Sequence, residues 1–292
     1  MQNNYPYPKW ISTEWLENNF SEENLTIVDT QPDIHDYLTE HLPGAVYFNQ
    51  KLLRIPYQGK PGRYVPESIV EKLFQRIGIK KDKPIIVYTA KGAFRGWGDG
   101  LEQTMIAYTL ARFGHDQIYV LDGGLDKWKQ EKRPLTKEFP DIKESDFKTQ
   151  IRDQYYLDMK EVKNMKDNDD VILLDARPES MYEGQAVWIK PGHIPGAINL
   201  PWKNLMDDKN PKKLKSEDEI KKIIEDKGIT KDKTIICSCG TGREATNEFL
   251  LFKWHLQYPN VKIYEGSFTE WTSYPENPVV TGKHPNKIKA TA

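Results

Sequence analysis

The sequence repeats itself with a period of about 150 residues, and a repeat that long is a folded domain, because solenoid units are several times shorter. Gly78-Ile-Lys-Lys-Asp-Lys-Pro-Ile-Ile returns as Gly228-Ile-Thr-Lys-Asp-Lys-Thr-Ile-Ile. Leu-Thr-Ile-Val-Asp29 returns as Val-Ile-Leu-Leu-Asp175, and His41-Leu-Pro-Gly-Ala returns as His193-Ile-Pro-Gly-Ala. Near the end of each copy, Tyr-Val-Leu-Asp-Gly-Gly-Leu-Asp-Lys-Trp128 matches Lys-Ile-Tyr-Glu-Gly-Ser-Phe-Thr-Glu-Trp271. The offsets drift by a few residues, as short loop insertions allow. The 292 residues therefore divide into two copies of one domain, each large enough to bury a core of its own.

Each copy alternates short apolar runs with amphipathic stretches. In the second copy Val171–Leu174, Thr234–Cys237 and Val261–Tyr264 read as buried strands. Asp158-x-x-Glu161 and Ser216-x-x-Glu219 are capping boxes that open helices, and Gly228 stands where the second of these should end. Thr246 to His255 reads as a helix with Phe249, Leu250 and Trp254 on one face. Strands separated by helices predict an α/β fold, with a mostly parallel sheet covered on both faces in each domain. The polar, proline-interrupted stretch from Arg133 to Ser145 reads as the connection. The expected division is a first domain over 1–134, a linker over 135–148, a second domain over 149–282 and a loose basic tail over 283–292.

Composition narrows the function. Lys and Arg total 42 against 43 Asp and Glu, a formal net charge of −1, which argues against bulk electrostatic binding to nucleic acid or an anionic membrane. No apolar stretch approaches the ~20 residues of a membrane span. The first residues carry neither a basic n-region nor an apolar h-region, so a cytoplasmic location is the expectation, with a periplasmic one open if a leader has been removed. The two cysteines, Cys237 and Cys239, form no disulfide framework, and with six scattered histidines they build no zinc site. No metal or other cofactor is called for.

The repeat separates the two thiols. Cys237 aligns with Val87 inside a strand, where a cysteine is a small buried hydrophobe. Cys239 aligns with Thr89, past the strand end, and begins Cys239-Gly240-Thr241-Gly242-Arg243-Glu244 just before a helix. Glycines at 240 and 242 let successive backbone N–H groups converge on one point, a nest for an anion. A helix N-terminus favours a thiolate and lowers its pKa, and Arg243 adds a cation.

These pieces, with Leu-Leu-Asp175-Ala-Arg177, Gly192-His-Ile-Pro-Gly-Ala-Ile-Asn-Leu-Pro-Trp202 and the segment ending at Trp271, resemble the tandem-domain rhodanese family of thiosulfate and 3-mercaptopyruvate sulfurtransferases. The resemblance covers essentially the whole chain, with degenerate versions of each piece in the first half. It implies that Cys239 attacks the outer sulfur of a donor, becomes a persulfide, and passes the sulfur to cyanide or to a thiol, a protein thiol included. It further implies that the N–H groups from Gly240 through Thr241, Gly242 and Arg243 to Glu244 stabilise the sulfur, while Arg243 and Arg177 hold the donor's anionic end. The first domain, with Thr89 for the nucleophile and Gln31 for Arg177, should be catalytically silent. Arg95 and Trp97, in its insertion after Thr89, read as an exposed loop. Asp175, at a strand end where a carboxylate can accept loop N–H bonds or pair with arginine, reads as structural, and so do His193, Trp128 and Trp271, which recur in both copies.

Donor choice is divided. Cys239-Gly240-Thr241-Gly242 leans toward the mercaptopyruvate pattern, whereas Arg243-Glu244 restores a cation that can grip a sulfonate, which favours thiosulfate. Two other classes compete. Cys237 and Arg243 have the Cys-x₅-Arg spacing of cysteine phosphatases, but the repeat register puts Cys237 in a strand. A persulfide carrier serving a protein partner would use the same loop. Cys237 as a resolving thiol would require a strained Cys-x-Cys bridge.

Overall fold

The computed structural model of the chain describes residues 9–19, 25–57, 60–94, 96–186 and 188–285. Arg95 and the end of the expected tail lie outside these. The chain packs as two compact units. One draws on residues up to Leu53, Tyr64–Arg152 and Met206–Leu214; the other on Arg54–Arg63, Asp153–Leu205 and the residues from Lys215 onward. Each half of the sequence therefore lends a short arm to the other unit, which the repeat alone does not disclose.

In the first unit the strands are β1 (Lys9–Ile11), β2 (Thr26–Asp29), β3 (Ala45–Tyr47), β6 (Ile85–Tyr88) and β7 (Ile118–Leu121), with the hairpin strands β4 (Arg54–Tyr57) and β5 (Lys60–Tyr64) between them in sequence. In the second they are β8 (Tyr156–Leu157), β9 (Val171–Asp175), β10 (Ile198–Asn199), β11 (Thr234–Ser238) and β12 (Val261–Tyr264). The two five-stranded sheets have the same order, β1-β7-β6-β2-β3 and β8-β12-β11-β9-β10, and every pairing within them is parallel. Their central strands are continuous apolar runs because helices cover both faces: Ile85, Ile86, Val87 and Tyr88 are buried, as are Ile235, Ile236 and Cys237.

Both capping boxes form, at Asp158 with Glu161 and at Ser216 with Glu219. Gly228 follows the helix Glu217–Asp226 with φ of +68°, the left-handed conformation that glycine adopts without a Cβ clash. The helix expected over 246–255 begins earlier, at Glu244, and widens after Leu250 into a π-type turn, Leu251–His255. The stretch expected as a linker runs over the first unit: Phe147 is buried, and its carbonyl accepts the Gln75 side-chain amide at 2.8 Å. No helix among the described residues is long and apolar enough to cross a membrane.

Candidate active site

Strand register brings the site together. Ser238, the last residue of β11, pairs with Asp175, the last residue of β9, so Cys239 and the Asp175-Ala-Arg177 turn emerge side by side from the carboxyl ends of two central parallel strands. Cavities open at such ends in α/β sheets. From Cys239 the chain curls through Gly240, Thr241, Gly242 and Arg243 into the helix Glu244–Leu250. Gly242 has φ of +83°, and a Cβ there would stand 2.5 Å from the Glu265 carbonyl oxygen, so only glycine fits. This conformation points the Gly242 N–H at Cys239 Sγ, with N···S 3.0 Å. The N–H groups of Thr241 and Ala245 also bond the sulfur.

The loop is fixed from the side by the start of the helix Ser267–Thr272. The Cys239 carbonyl accepts Phe268 N–H at 2.9 Å, and the Gly240 carbonyl accepts both Thr269 N–H at 3.0 Å and its hydroxyl at 2.7 Å. The Cys239 N–H donates to Ser267 Oγ at 3.1 Å, and the same oxygen lies 3.8 Å from Sγ. Ser267 holds φ of +50°, unusual for a residue with a Cβ, so backbone strain is stored beside Cys239. Its repeat counterpart Gly124 has φ of +59°. Sequence reasoning passed over Ser267, although a serine aligned with Gly124 was the signal.

The electrostatics differ from the sequence expectation in one respect. A lowered thiol pKa was expected, but Cys239 is fully buried, and that burial pushes its thiol well above the ordinary value. The Glu244 carboxylate, hydrogen-bonded to the thiol, adds to the rise, and the N–H groups of Ala245 and Thr241 only partly oppose it. The resting group is a thiol set in an anion nest.

Arg177 is 1% exposed. Its Nε donates to Asp175 Oδ1 at 2.9 Å, and one terminal nitrogen bonds both Asp175 Oδ2 at 2.5 Å and the Gly192 carbonyl at 2.8 Å. Phe268 stacks 4.0 Å from the guanidinium. The side chain expected to grip a donor is thus bound into the floor of the loop, its Cδ 3.7 Å from where a Gly240 Cβ would be. Trp188 approaches the same point to 3.0 Å. Arg243 precedes the helix as a half-exposed residue, with Thr246 Oγ1 on its carbonyl at 2.8 Å.

A second group that sequence reasoning missed comes from the arm of the first half. Arg54 donates to the Glu265 carbonyl at 3.2 Å, and its guanidinium comes within 3.3 Å of the Gly242 Cβ position. Arg63 of the same hairpin lies 3.6 Å from a Glu270 carboxylate oxygen. No motif announces residues donated from so far away in the chain.

The first unit holds different side chains at the matching positions. Thr89 takes the place after β6, its N–H bonded to Gln103 Oε1 at 3.2 Å and its hydroxyl to the Thr30 carbonyl at 3.2 Å. Gln31 takes the role of Arg177, its amide donating to Asp29 Oδ2 at 2.9 Å. A neutral partner stabilises a carboxylate less than a guanidinium does, and burial raises Asp29 to about 6. Lys212, from the arm of the second half, fills the remaining space, with Nζ 3.3 Å from the Gly98 carbonyl and 3.2 Å from Asp126. Trp97 is exposed, beside Lys51. His41 and His193 occupy matching places, each ring bonded to two backbone carbonyls: Tyr37 and Glu138 in one unit, Tyr182 and His284 in the other. Cys237 is buried within β11, paired with Leu174 on one side and Ile263 on the other, so it cannot head a phosphate-binding loop.

Residues 12–131 and 158–274 each match the rhodanese-like domain. A relative in Synechococcus elongatus, named as a thiosulfate sulfurtransferase, is 35% identical over 94% of this chain and 85% of its own. The sulfur carrier protein TtuD of Thermus thermophilus is 28% identical over 96% of this chain and 99% of its own. Among solved structures, EanB in complex with ergothioneine shares the fold, with a TM-score of 0.81 and 23% identity over 94% of this chain and 70% of that one. With both halves matched in order and close relatives along the whole length, the chain belongs to the rhodanese-like family and is a two-domain sulfurtransferase.

Proposed function

We propose that the protein moves sulfane sulfur from thiosulfate to a thiophilic acceptor through a persulfide on Cys239. The observation that carries this reading is the Gly242 N–H directed at Sγ at 3.0 Å, with the N–H groups of Thr241 and Ala245 on the same atom. Such a nest stabilises charge on sulfur in both halves of a ping-pong cycle without reorganising. The thiolate attacks the outer sulfur, sulfite leaves with the electron pair of the broken S–S bond, and the acceptor then removes the outer sulfur of the persulfide. Arg243, at the mouth of the loop, is the cation for the sulfonate end, and a guanidinium can bind it bidentately. Buried Arg177 acts by holding Asp175 and the loop floor.

Steady-state kinetics with thiosulfate and with 3-mercaptopyruvate test the donor. The larger kcat/KM belongs to thiosulfate on this reading, and a much larger value with mercaptopyruvate refutes it. The name of the Thermus relative favours a second possibility for the acceptor, a protein thiol. Transfer from the persulfidated protein to a thiol-bearing protein, compared with transfer to cyanide, distinguishes the two.

A further inference from the structure

Glu244 stands in the sulfur-binding loop as the first residue of the helix Glu244–Leu250. A carboxylate at that place is electrostatically odd, because the same loop must hold an anionic sulfur. Its Oε2 is buried and has no hydrogen-bond partner among the described residues. The side chain is nevertheless in hydrogen-bond contact with the Cys239 thiol. An acid placed on a nucleophile, with one oxygen kept from water and left without a donor, is arranged to receive a proton.

We propose that Glu244 is the general base of the first half-reaction, taking the Cys239 thiol proton as Sγ attacks the donor. This deepens the reading above and rests on Cys239 being the nucleophile. The S–H bond breaks and its proton forms an O–H bond on Glu244. The freed electron pair on Sγ makes the new S–S bond, while the donor's S–S bond breaks and its pair leaves with sulfite. Glu244 is then neutral at the moment the persulfide anion forms, so the loop never holds two adjacent negative charges. When the acceptor removes the outer sulfur, the departing Cys239 thiolate takes the proton back, and the cycle closes without any external acid or base.

The neighbouring groups suit this exchange. Arg243 precedes Glu244 in the loop, and Arg54 lies against Gly242. The Asp175–Arg177 pair backs Gly240. Glu248, one turn along the helix, is fully buried, and both its oxygens lack partners among the described residues. Burial, with Asp175 and Glu244 nearby, pushes its carboxyl well above the usual carboxylate range and disfavours its charged form. Cys237 is held protonated by its own burial. Ser267 presents only a hydroxyl to the sulfur.

The test is Glu244→Gln, which keeps shape and removes the base, with Glu244→Asp as the conservative rescue. Single-turnover persulfide formation is followed against pH. In the wild type the rate should be nearly flat across the neutral range, because the base is built in. In Glu244→Gln it should fall by ~10²-fold at neutral pH and rise about tenfold per pH unit, following the free thiolate. Glu244→Asp should recover part of the rate and the flat profile. Wild-type rate and profile in Glu244→Gln overturn the proposal while leaving Cys239 as nucleophile. Failure of the wild type to form any persulfide on Cys239 overturns the underlying reading instead. Pre-steady-state alkylation of Cys239 by iodoacetamide, which needs no sulfur donor, gives an independent readout. Removing the carboxylate should turn a nearly flat alkylation profile into one that rises about tenfold per pH unit, and an unchanged profile overturns the proposal.

Discussion

Gly242→Ala separates the sulfur nest from ordinary packing. At φ of +83° a Cβ costs about 1–2 kcal/mol in backbone strain alone. Here it would also meet the Glu265 carbonyl oxygen at 2.5 Å, a contact only a backbone shift can relieve. That shift moves the N–H now 3.0 Å from Sγ. Loss of one preorganised donor to a developing charge lowers rates by ~10²–10³-fold. Gly228→Ala is the matched control. It also has positive φ, +68°, but nothing lies within 4 Å of its Cβ position, so it should lose about 1–2 kcal/mol of stability and no activity. Rapid-quench measurement of persulfide formation gives the rates, and urea denaturation gives the stabilities. Refutation would be a Gly242→Ala protein with the wild-type single-turnover rate and no more destabilisation than Gly228→Ala.

Two further perturbations read the supporting structure. Burial holds Asp29 at about 6 against an unfolded value of about 3.9, so between those pH values the folded protein binds the extra proton and stability falls as pH rises. Asp29→Asn should remove roughly 3 kcal/mol of that pH dependence in urea melts at acid and neutral pH, and an unchanged dependence contradicts the buried-carboxyl account. Ser267→Gly and Ser267→Ala both delete the hydroxyl on the Cys239 N–H, but only alanine keeps the strain of φ at +50°. The glycine variant should be the more stable by about 1 kcal/mol, and equal stabilities would remove the strain from the account.

Much of this was legible in the sequence because local chemistry and the repeat agreed. Strand, capping and glycine signals gave two parallel α/β domains, and the alignment of Cys237 with Val87 and of Cys239 with Thr89 told the strand thiol from the loop thiol. Three features were not legible, each for a physical reason. Burial outweighed the helix terminus at Cys239, and no local motif encodes how deeply a loop is covered. The resemblance implied that Arg177 holds a donor's anionic end, but its guanidinium closes on Asp175 two residues away, and whether that pair closes depends on the chain direction after β9. Arg54 reaches the Cys239 loop and Lys212 the matching region of the first unit, each in the unit built mainly from the other half of the sequence, and such exchange leaves no periodicity behind.

The central claim is that one thiol, Cys239, carries the sulfur. After incubation with thiosulfate and removal of excess donor, intact-mass and peptide-level mass spectrometry should find one added sulfur atom on Cys239 in the wild type. The same adduct should appear in Cys237→Ser and disappear with cyanide. It should be absent in Cys239→Ser. An adduct on Cys237, or one that survives in Cys239→Ser, contradicts the account.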